Sequence, residues 1–336
     1  MRVYELQKRE GLDALTAAER NPPQSGPNDI RVRIAAVSLN YRDLAIARLA
    51  ARRSKGPIIP CSDGAGEVIE TGAAVTRFKV GDRVAGIFFP DWLDGEIQAS
   101  HHARALGGTA DGMLAQEVVL PEHAWVPVPA HLSFEEAAAL PCAAVTAYHA
   151  LFEASHVGPG STVLAQGTGG VSIFALQLAK AAGARVVLTS RSEEKRARAR
   201  EMGADHVIDY LATPSWGDAA FTWAEGRGVD VVVEVGGPGT FDQSLAALRY
   251  NGTLAQIGAL TGARGEVNTF GIFQKSLIVR GIYVGSRRMF EALNRAIVTT
   301  GLRPVIDRVF PFDDARAAYD HLASGAHFGK VVIRVA

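Results

Sequence analysis

The spacing of apolar residues changes character twice along this chain. Over the first 127 residues it is short-period. Ile30-Arg-Val-Arg-Ile-Ala-Ala-Val37 and Glu67-Val-Ile-Glu70 alternate or carry β-branched side chains, and turns such as Val80-Gly-Asp-Arg-Val84 separate such runs. Period-two runs broken by turn residues predict β-strands. Residues 88–112 break the pattern: mixed polar and aromatic, with His101, His102 and Gly107-Gly108, they read as a long loop carrying two solvated histidines. Pro121, Pro127 and Pro129 mark the way out. Ser133-Phe-Glu-Glu136 then has capping-box spacing, in which serine and glutamate satisfy each other's backbone N–H groups at a helix start.

Beyond Gly158-Pro-Gly160 the rhythm is strand, helix, strand. Val163-Leu-Ala-Gln166 reads as a buried strand before a glycine-rich turn. Val171, Phe174, Ala175 and Leu178 then share one helical face, Gly183 is placed to stop that helix, and Ala184–Arg191 forms the next strand. Further buried strands are expected at His206–Tyr210, Val229–Val235, Thr253–Ile257 and Ser276–Tyr283. The alternation predicts a doubly wound parallel sheet, whose ligand lies outside the carboxyl ends of the strands. Gly236 and Gly258 stand at such ends, where backbone must pass close to a ligand. A helix near 287–300, a strand Pro304–Phe310, a short helix and a strand Lys330–Val335 close the chain, and the last strands most economically rejoin the first sheet. The expected fold is α/β: a β-rich domain from residues 1–127 and 288–336, and a doubly wound domain from residues 128–287.

The turn Gly167-Thr168-Gly169-Gly170-Val171 has dinucleotide-binding chemistry. Gly167 permits the tight turn, Gly169 lets backbone approach a pyrophosphate, and the following helix aims unpaired N–H groups at that anion. Ser172 stands where a third glycine is usual, and is small enough for close helix–strand packing. Lys+Arg and Asp+Glu balance at 35 each, so no net field favours nucleic acid or an anionic membrane. Cys61 and Cys142, the only cysteines, are too few for a disulfide framework or a four-cysteine zinc lobe. The first residues have no apolar signal core and no apolar run is long enough to span a bilayer, so a soluble cytoplasmic protein is expected.

The order of these parts, together with Ser38-Leu-Asn-Tyr-Arg-Asp43, Ser62-Asp-Gly-Ala-Gly-Glu-Val68, Val80–Val84, Leu140-Pro-Cys-Ala-Ala-Val-Thr-Ala-Tyr148 and Phe328-Gly-Lys-Val-Val332, resembles the medium-chain dehydrogenase/reductase superfamily over essentially the whole chain. The resemblance implies a GroES-like catalytic domain around a Rossmann coenzyme domain. The subgroup it resembles is the zinc-free one of quinone oxidoreductases and enone or enoyl reductases. It implies catalytic roles for Asn40 and Tyr41, on the motif facing the nicotinamide, although Tyr41 reads equally as a packing aromatic. It also implies cofactor contacts at Thr146 and Lys330, substrate binding between the domains, and a homodimer joined through the edge strand Ile278–Tyr283.

Zinc alcohol dehydrogenases of this superfamily hold catalytic metal with a cysteine, a histidine and a second cysteine, beside a glutamate. Aligned motif by motif, those positions hold Asn40, Ser62, Cys142 and Asp63. Asn and Ser are poor zinc ligands, so no metal is expected. Without a Lewis acid, alcohol chemistry loses several kcal/mol of alkoxide stabilisation, whereas hydride added to an enone or quinone leaves charge that hydrogen bonds can hold. Asp43 reads as structural, and Arg48, Arg52, Arg53 and Lys55 as a solvated loop.

The coenzyme expected is NADP(H). The second strand of the coenzyme unit ends without the carboxylate that accepts from an NAD ribose, and presents Ser190, Arg191 and Lys195 instead. Tyr210 closes the third strand, where zinc-free relatives often carry a tyrosine beside the same phosphate. The expected function is zinc-independent, NADPH-dependent reduction of a small quinone or activated double bond. NADP-dependent alcohol or aldehyde oxidation, and nucleotide binding with little catalysis, stand as alternatives.

Overall fold

A hairpin opens the chain: β1 (Arg2–Leu6) pairs antiparallel with β2 (Leu15–Glu19). The long β3 (Asp29–Leu39) follows, buried at Ile30, Val32, Ile34 and Ala36, with Arg31 and Arg33 less covered between them. That alternation makes it the spine of a sheet with β4 (Asp63–Thr71), β5 (Arg83–Gly86), β6 (Glu117–Pro121) and β7 (Trp125–Pro127). The next strands are β8 (Thr162–Gln166), β9 (Arg185–Thr189), β10 (His206–Ile208), β11 (Val229–Glu234), β12 (Leu248–Gln256) and β13 (Ile278–Gly281). They form an all-parallel sheet ordered β10-β9-β8-β11-β12-β13. This is the doubly wound dinucleotide-binding order, which reverses between β8 and β11. Finally β14 (Ile306–Pro311) and β15 (Lys330–Arg334) return to the first sheet, ordered β14-β15-β3-β4-β5-β7 with β6 also on β3.

The computed structural model describes residues 1–52 and 56–336, so Arg53 and Lys55 lie outside the described residues; Arg48 and Arg52 are exposed. Its two compact units are Met1–Val145 with Gly285–Ala336, and Thr146–Val284. Residues 128–145 and 285–287 thus join the first unit rather than the second, where the sequence places them. The helix Phe134–Ala138 explains the first shift. It starts at the predicted capping box, with Ser133 N donating to Glu136 Oε2 at 2.7 Å and Glu136 N donating to Ser133 Oγ at 3.2 Å. It is then tied to the first sheet, because Ser38 Oγ donates to Ala138 O at 2.8 Å and the Arg83 guanidinium lies 4.5 Å over the Phe134 ring. At the other junction, Ser286 caps the helix Arg287–Thr300, and Arg287 N donates to Trp92 O of the same unit.

Residues 88–112 are mostly loop, as expected, with residues 94–100, His102 and Ala103 exposed, but the segment is anchored on an apolar centre. Phe88, Phe89 and Trp92 are buried, a short helix spans Ala99–His102, and the Arg42 guanidinium lies 4.6 Å over the Phe88 ring. The two histidines stack on this apolar centre: His101 lies parallel to Trp92 at 5.9 Å, and His102 meets Phe89 edge-on at 5.3 Å. In the parallel unit, the edge strand β13 is short and exposes Ile278 and Val279. Among the described residues, no helix is long and apolar enough to cross a membrane.

Candidate active site

In the parallel unit the glycine turn stands between β8 and the helix Gly170–Ala181. Gly167 has φ +70°, a left-handed conformation that favours glycine, and its N–H donates to Thr189 O at 2.8 Å. Gly169 occupies the N-cap position and no side chain caps the helix. Among the described residues the first N–H groups of Gly170, Val171 and Ser172 therefore lack side-chain partners, beside the buried Thr168. Ser172 does more than pack: its Oγ donates to Gln166 O at 2.5 Å, fastening the helix start to the strand end.

Beside this turn lies a network absent from the sequence reading. Gln166 and Glu234 end the neighbouring strands β8 and β11, where the strand order reverses. Glu234 is fully buried, and a buried carboxylate is costly unless donors surround it. Gln166 Nε2 donates to it at 2.6 Å, Thr240 Oγ1 at 2.6 Å, Gly236 N at 2.7 Å and Gly237 N at 2.9 Å, with Ser244 Oγ a further close donor. Gly236 N also donates to Gln166 Oε1. The Gly236 N–H is thus spent inside the protein, and a Cβ there would meet Thr240 Oγ1 at 2.1 Å. Gly258 has a similar internal reason, since its Cβ would lie 2.2 Å from Val235 O. Both glycines stand where the sequence places them, but chain packing already requires them.

At the carboxyl end of β9, Ser190 is buried and Arg191 exposed. Arg191 has no hydrogen bond or ion pair among the described residues. Two nearby acids are engaged elsewhere: Arg196 pairs with Glu193 at 2.6 Å and Asp209 at 2.8 Å, and Arg200 pairs with Glu193 at 3.0 Å. Arg196 Nη1 also donates to Ser190 O at 2.7 Å. Arg196 therefore shapes this turn, a role that a basic residue on a predicted helix start does not reveal. Lys195 lies on the same helical turn, and Tyr210 is half-buried after β10.

The first unit gathers the other candidates by register. Ser38 pairs with Asp63 across β3 and β4, while Leu39 pairs with Val331 across β3 and β15. The end of β3 and the starts of β4 and β15 thus bring Asn40, Asp63 and Lys330 together. Lys330, 2% exposed, donates from Nζ to Leu39 O at 2.7 Å and Asn40 Oδ1 at 2.6 Å, with Asp63 Oδ2 at 3.8 Å. Its ammonium thus has two hydrogen bonds to protein acceptors and one carboxylate at ion-pair distance. Asp63 accepts from Ser62 Oγ at 2.6 Å and Cys142 N at 3.1 Å. Burial, with Asp63 adding to it, pushes the Cys142 thiol well up.

Asn40 also caps the helix Tyr41–Arg48 and donates its backbone N–H to Asp43 Oδ2 at 2.8 Å. Tyr41 projects outward, 45% exposed. Asp43 is buried, and desolvation lifts its carboxyl to about 6 despite the opposing Arg42 charge and the Asn40 N–H. Thr146 is buried at the start of the second unit, just after a π-helical turn Leu140–Ala144.

With this geometry in hand, the similarities are specific. Residues 26–130 match the alcohol dehydrogenase GroES-like domain family, and residues 170–299 the zinc-binding dehydrogenase family. A zinc-type alcohol dehydrogenase-like protein of Schizosaccharomyces pombe is 44% identical over 333 residues, covering 97% of this chain and 96% of that protein. The acryloyl-coenzyme A reductase of Metallosphaera sedula is 32% identical, covering 93% of each. A crystal structure from Sinorhizobium meliloti, described as an alcohol dehydrogenase, superposes with TM-score 0.92 at 41% identity and covers 99% of each chain.

Asp43 generates a pH prediction. Its folded value of about 6 lies above the ordinary unfolded value near 3.9, so between these the folded state binds more protons. Stability should therefore fall as pH rises from about 4 to about 6, by roughly 3 kcal/mol from this group alone. Asn at this position keeps an acceptor for the Asn40 N–H and removes the titration. Urea unfolding at both ends of that window should show the parent losing more stability than Asp43→Asn; equal losses would refute the assignment.

Proposed function

The chain belongs to the medium-chain dehydrogenase/reductase superfamily, and we propose that within it this protein is a zinc-independent, NADPH-dependent reductase of quinones or of double bonds conjugated to a carbonyl. One observation carries the reading. Where zinc-dependent members place a ligating cysteine and histidine, this chain has Asn40 and Ser62, and the Lys330 ammonium donates to Asn40 Oδ1 at 2.6 Å.

The donor set does not fit zinc, which takes thiolate, imidazole and carboxylate ligands at short range. The Asn40 oxygen is already engaged and the Ser62 hydroxyl donates to Asp63. Burial keeps the Cys142 thiol protonated. A resident ammonium, 3.8 Å from the one carboxylate of the set, supplies the positive charge instead. Such a site offers hydrogen bonds and fixed charge rather than a Lewis acid, which suits conjugate reduction better than alkoxide chemistry. The acryloyl-coenzyme A reductase relative is in keeping with that substrate class. Alcohol or aldehyde oxidation is the rival reading, favoured by the names of the other relatives.

The residues of the glycine turn fit a dinucleotide. Gly167, Thr168, Gly169, Gly170 and Val171 would hold the pyrophosphate on free helix-end N–H groups. Thr146 would face the adjoining ribose, with Gly236 and Gly258 lining the crevice where strand order reverses. Ser190, Arg191, Lys195 and Tyr210 would surround a ribose 2′-phosphate. Its preference over a 2′-hydroxyl rests on the unengaged Arg191 and on nearby carboxylates already held by Arg196 and Arg200. When bound, the reduced nicotinamide supplies the hydride. Asn40 would orient the substrate carbonyl, and the exposed Tyr41 phenol would pass a proton from solvent. Pairing of β13 with a second copy would make a homodimer, since an exposed apolar edge strand seeks a partner.

Three outcomes follow from this reading. NADPH should be consumed with an enone, and 4-deuterated NADPH should leave its label on the β-carbon. Label on a carbonyl carbon, or alcohol-dependent reduction of NADP, would sink the assignment. By equilibrium titration, Arg191→Ala should weaken NADPH by roughly 1.5–3 kcal/mol, the worth of a charged hydrogen bond, and barely move NADH. Equal affinity of the parent for both coenzymes would count against a 2′-phosphate site. Light scattering should give a dimer mass for the parent and a shift towards monomer for Val279→Asp; a parent that stays monomeric across concentrations rules the dimer out.

A further inference from the structure

The geometry points to Lys330 as a positioning residue for the reduction: its ammonium, bound to Asn40 Oδ1, polarises the Asn40 amide so that Nδ2–H becomes the donor for the carbonyl oxygen of the conjugated substrate. This rests on the reductase reading above and adds to it how the donor is oriented and strengthened.

An ammonium has only donors, so the Asn40 atom 2.6 Å from Nζ is the oxygen, and the amide orientation is fixed without appeal to choice. Asn40 Nδ2 is then shielded from water with no hydrogen-bond partner among the described residues. Buried donors are almost always paired, and an unpaired one is retained where something outside the chain completes it. An amide whose oxygen accepts from a cation is a stronger donor through its nitrogen, because successive hydrogen bonds polarise one another. The arrangement is held from every side. Lys330 starts β15 next to Leu39, whose carbonyl takes a second Nζ proton at 2.7 Å. Asp63 Oδ2 lies 3.8 Å away and balances the charge. Two ammonium protons are thus taken by Leu39 O and Asn40 Oδ1, and Asp63 stands at ion-pair distance.

In the step itself, hydride adds to the β-carbon. The carbon–carbon π pair moves to join the α-carbon to the carbonyl carbon, and the carbonyl π pair moves onto oxygen. The Asn40 N–H bond to that oxygen tightens without giving up its proton. The α-carbon then takes one proton from solvent as the carbonyl reforms, so the double bond has gained a hydride and a proton and the nicotinamide is oxidised.

The test compares the parent enzyme with Lys330→Met, Asn40→Ala and the double variant, assayed with an enone at saturating NADPH. Each single change should lower kcat about 10- to 100-fold, less than or similar to loss of an oxyanion-hole donor. The double variant should be no slower than Asn40→Ala, and the NADPH dissociation constant should stay within about twofold. A structural defect alone would not move the second readout, the infrared carbonyl stretch of the enone in its complex with the enzyme and NADP⁺. That stretch should be lowered in the parent, lowered less in Lys330→Met and unshifted in Asn40→Ala. If Lys330→Met melts below assay temperature, Lys330→Arg replaces it, and the stretch should still separate it from Asn40→Ala. Rate losses that multiply, weakened NADPH binding with parental kcat, or a stretch indifferent to both residues would each overturn the inference. An enone-active parent with those results leaves the proposed function standing, whereas a parent active on alcohols alone overturns both.

Discussion

Removing an ammonium from water costs several kcal/mol unless acceptors replace the lost hydration. Lys330 meets that demand with a main-chain carbonyl, an amide oxygen and a nearby carboxylate. The demand is structural before it is chemical. It couples the start of the last strand to the end of β3, to the cap of the helix Tyr41–Arg48, and to the first residue of β4. Loss of any one partner leaves an uncompensated charge, so the three strands hold one another in register.

A second buried charge plays the matching part in the parallel unit. Among the described residues Glu234 has no ion pair and is satisfied by hydrogen-bond donors, two of them main-chain N–H groups at the head of the helix Pro238–Ala247. A carboxylate at a helix N-terminus is favoured by the helix dipole. One site therefore holds a cation on oxygen atoms and the other an anion on N–H and O–H groups. Each fixes the backbone close to where substrate or coenzyme is proposed to bind.

The sequence carried the architecture well wherever a period was sustained. The β-rich beginning, the parallel alternation after Gly160 and the return of the last two strands to the first sheet are all read from spacing and turn residues. The junctions were less legible. Nothing in the pattern of residues 128–145 says that Phe134–Ala138 is bound to the first sheet through Ser38 and Arg83. Residues 88–112 were legible as loop, but their anchoring on Phe88, Phe89 and Trp92 with the stacked histidines was not, because such contacts have no period to detect. Among site residues, the glycine turn and Arg191 are visible as motif and missing acid. Glu234 looks like an ordinary strand end, and Arg196 like a solvated helix residue. The inward turn of Lys330 depends on the register of two strands separated by most of the chain.

That separation bears on how the protein is made. On β3, residues Asp29–Arg33 pair with β6, whereas Ala36–Leu39 on the same side pair with β15, which follows the whole parallel unit in the chain. During synthesis the second half of β3 therefore presents an open edge until β15 emerges, after all the strands of the parallel unit. Domains tend to fold as units in the order they appear, and an unpaired apolar edge is where nascent chains stick to one another. The inserted unit can mature first. The Asn40–Lys330 contact closes only once β15 has been made, so the parallel unit can fold before that buried cluster exists.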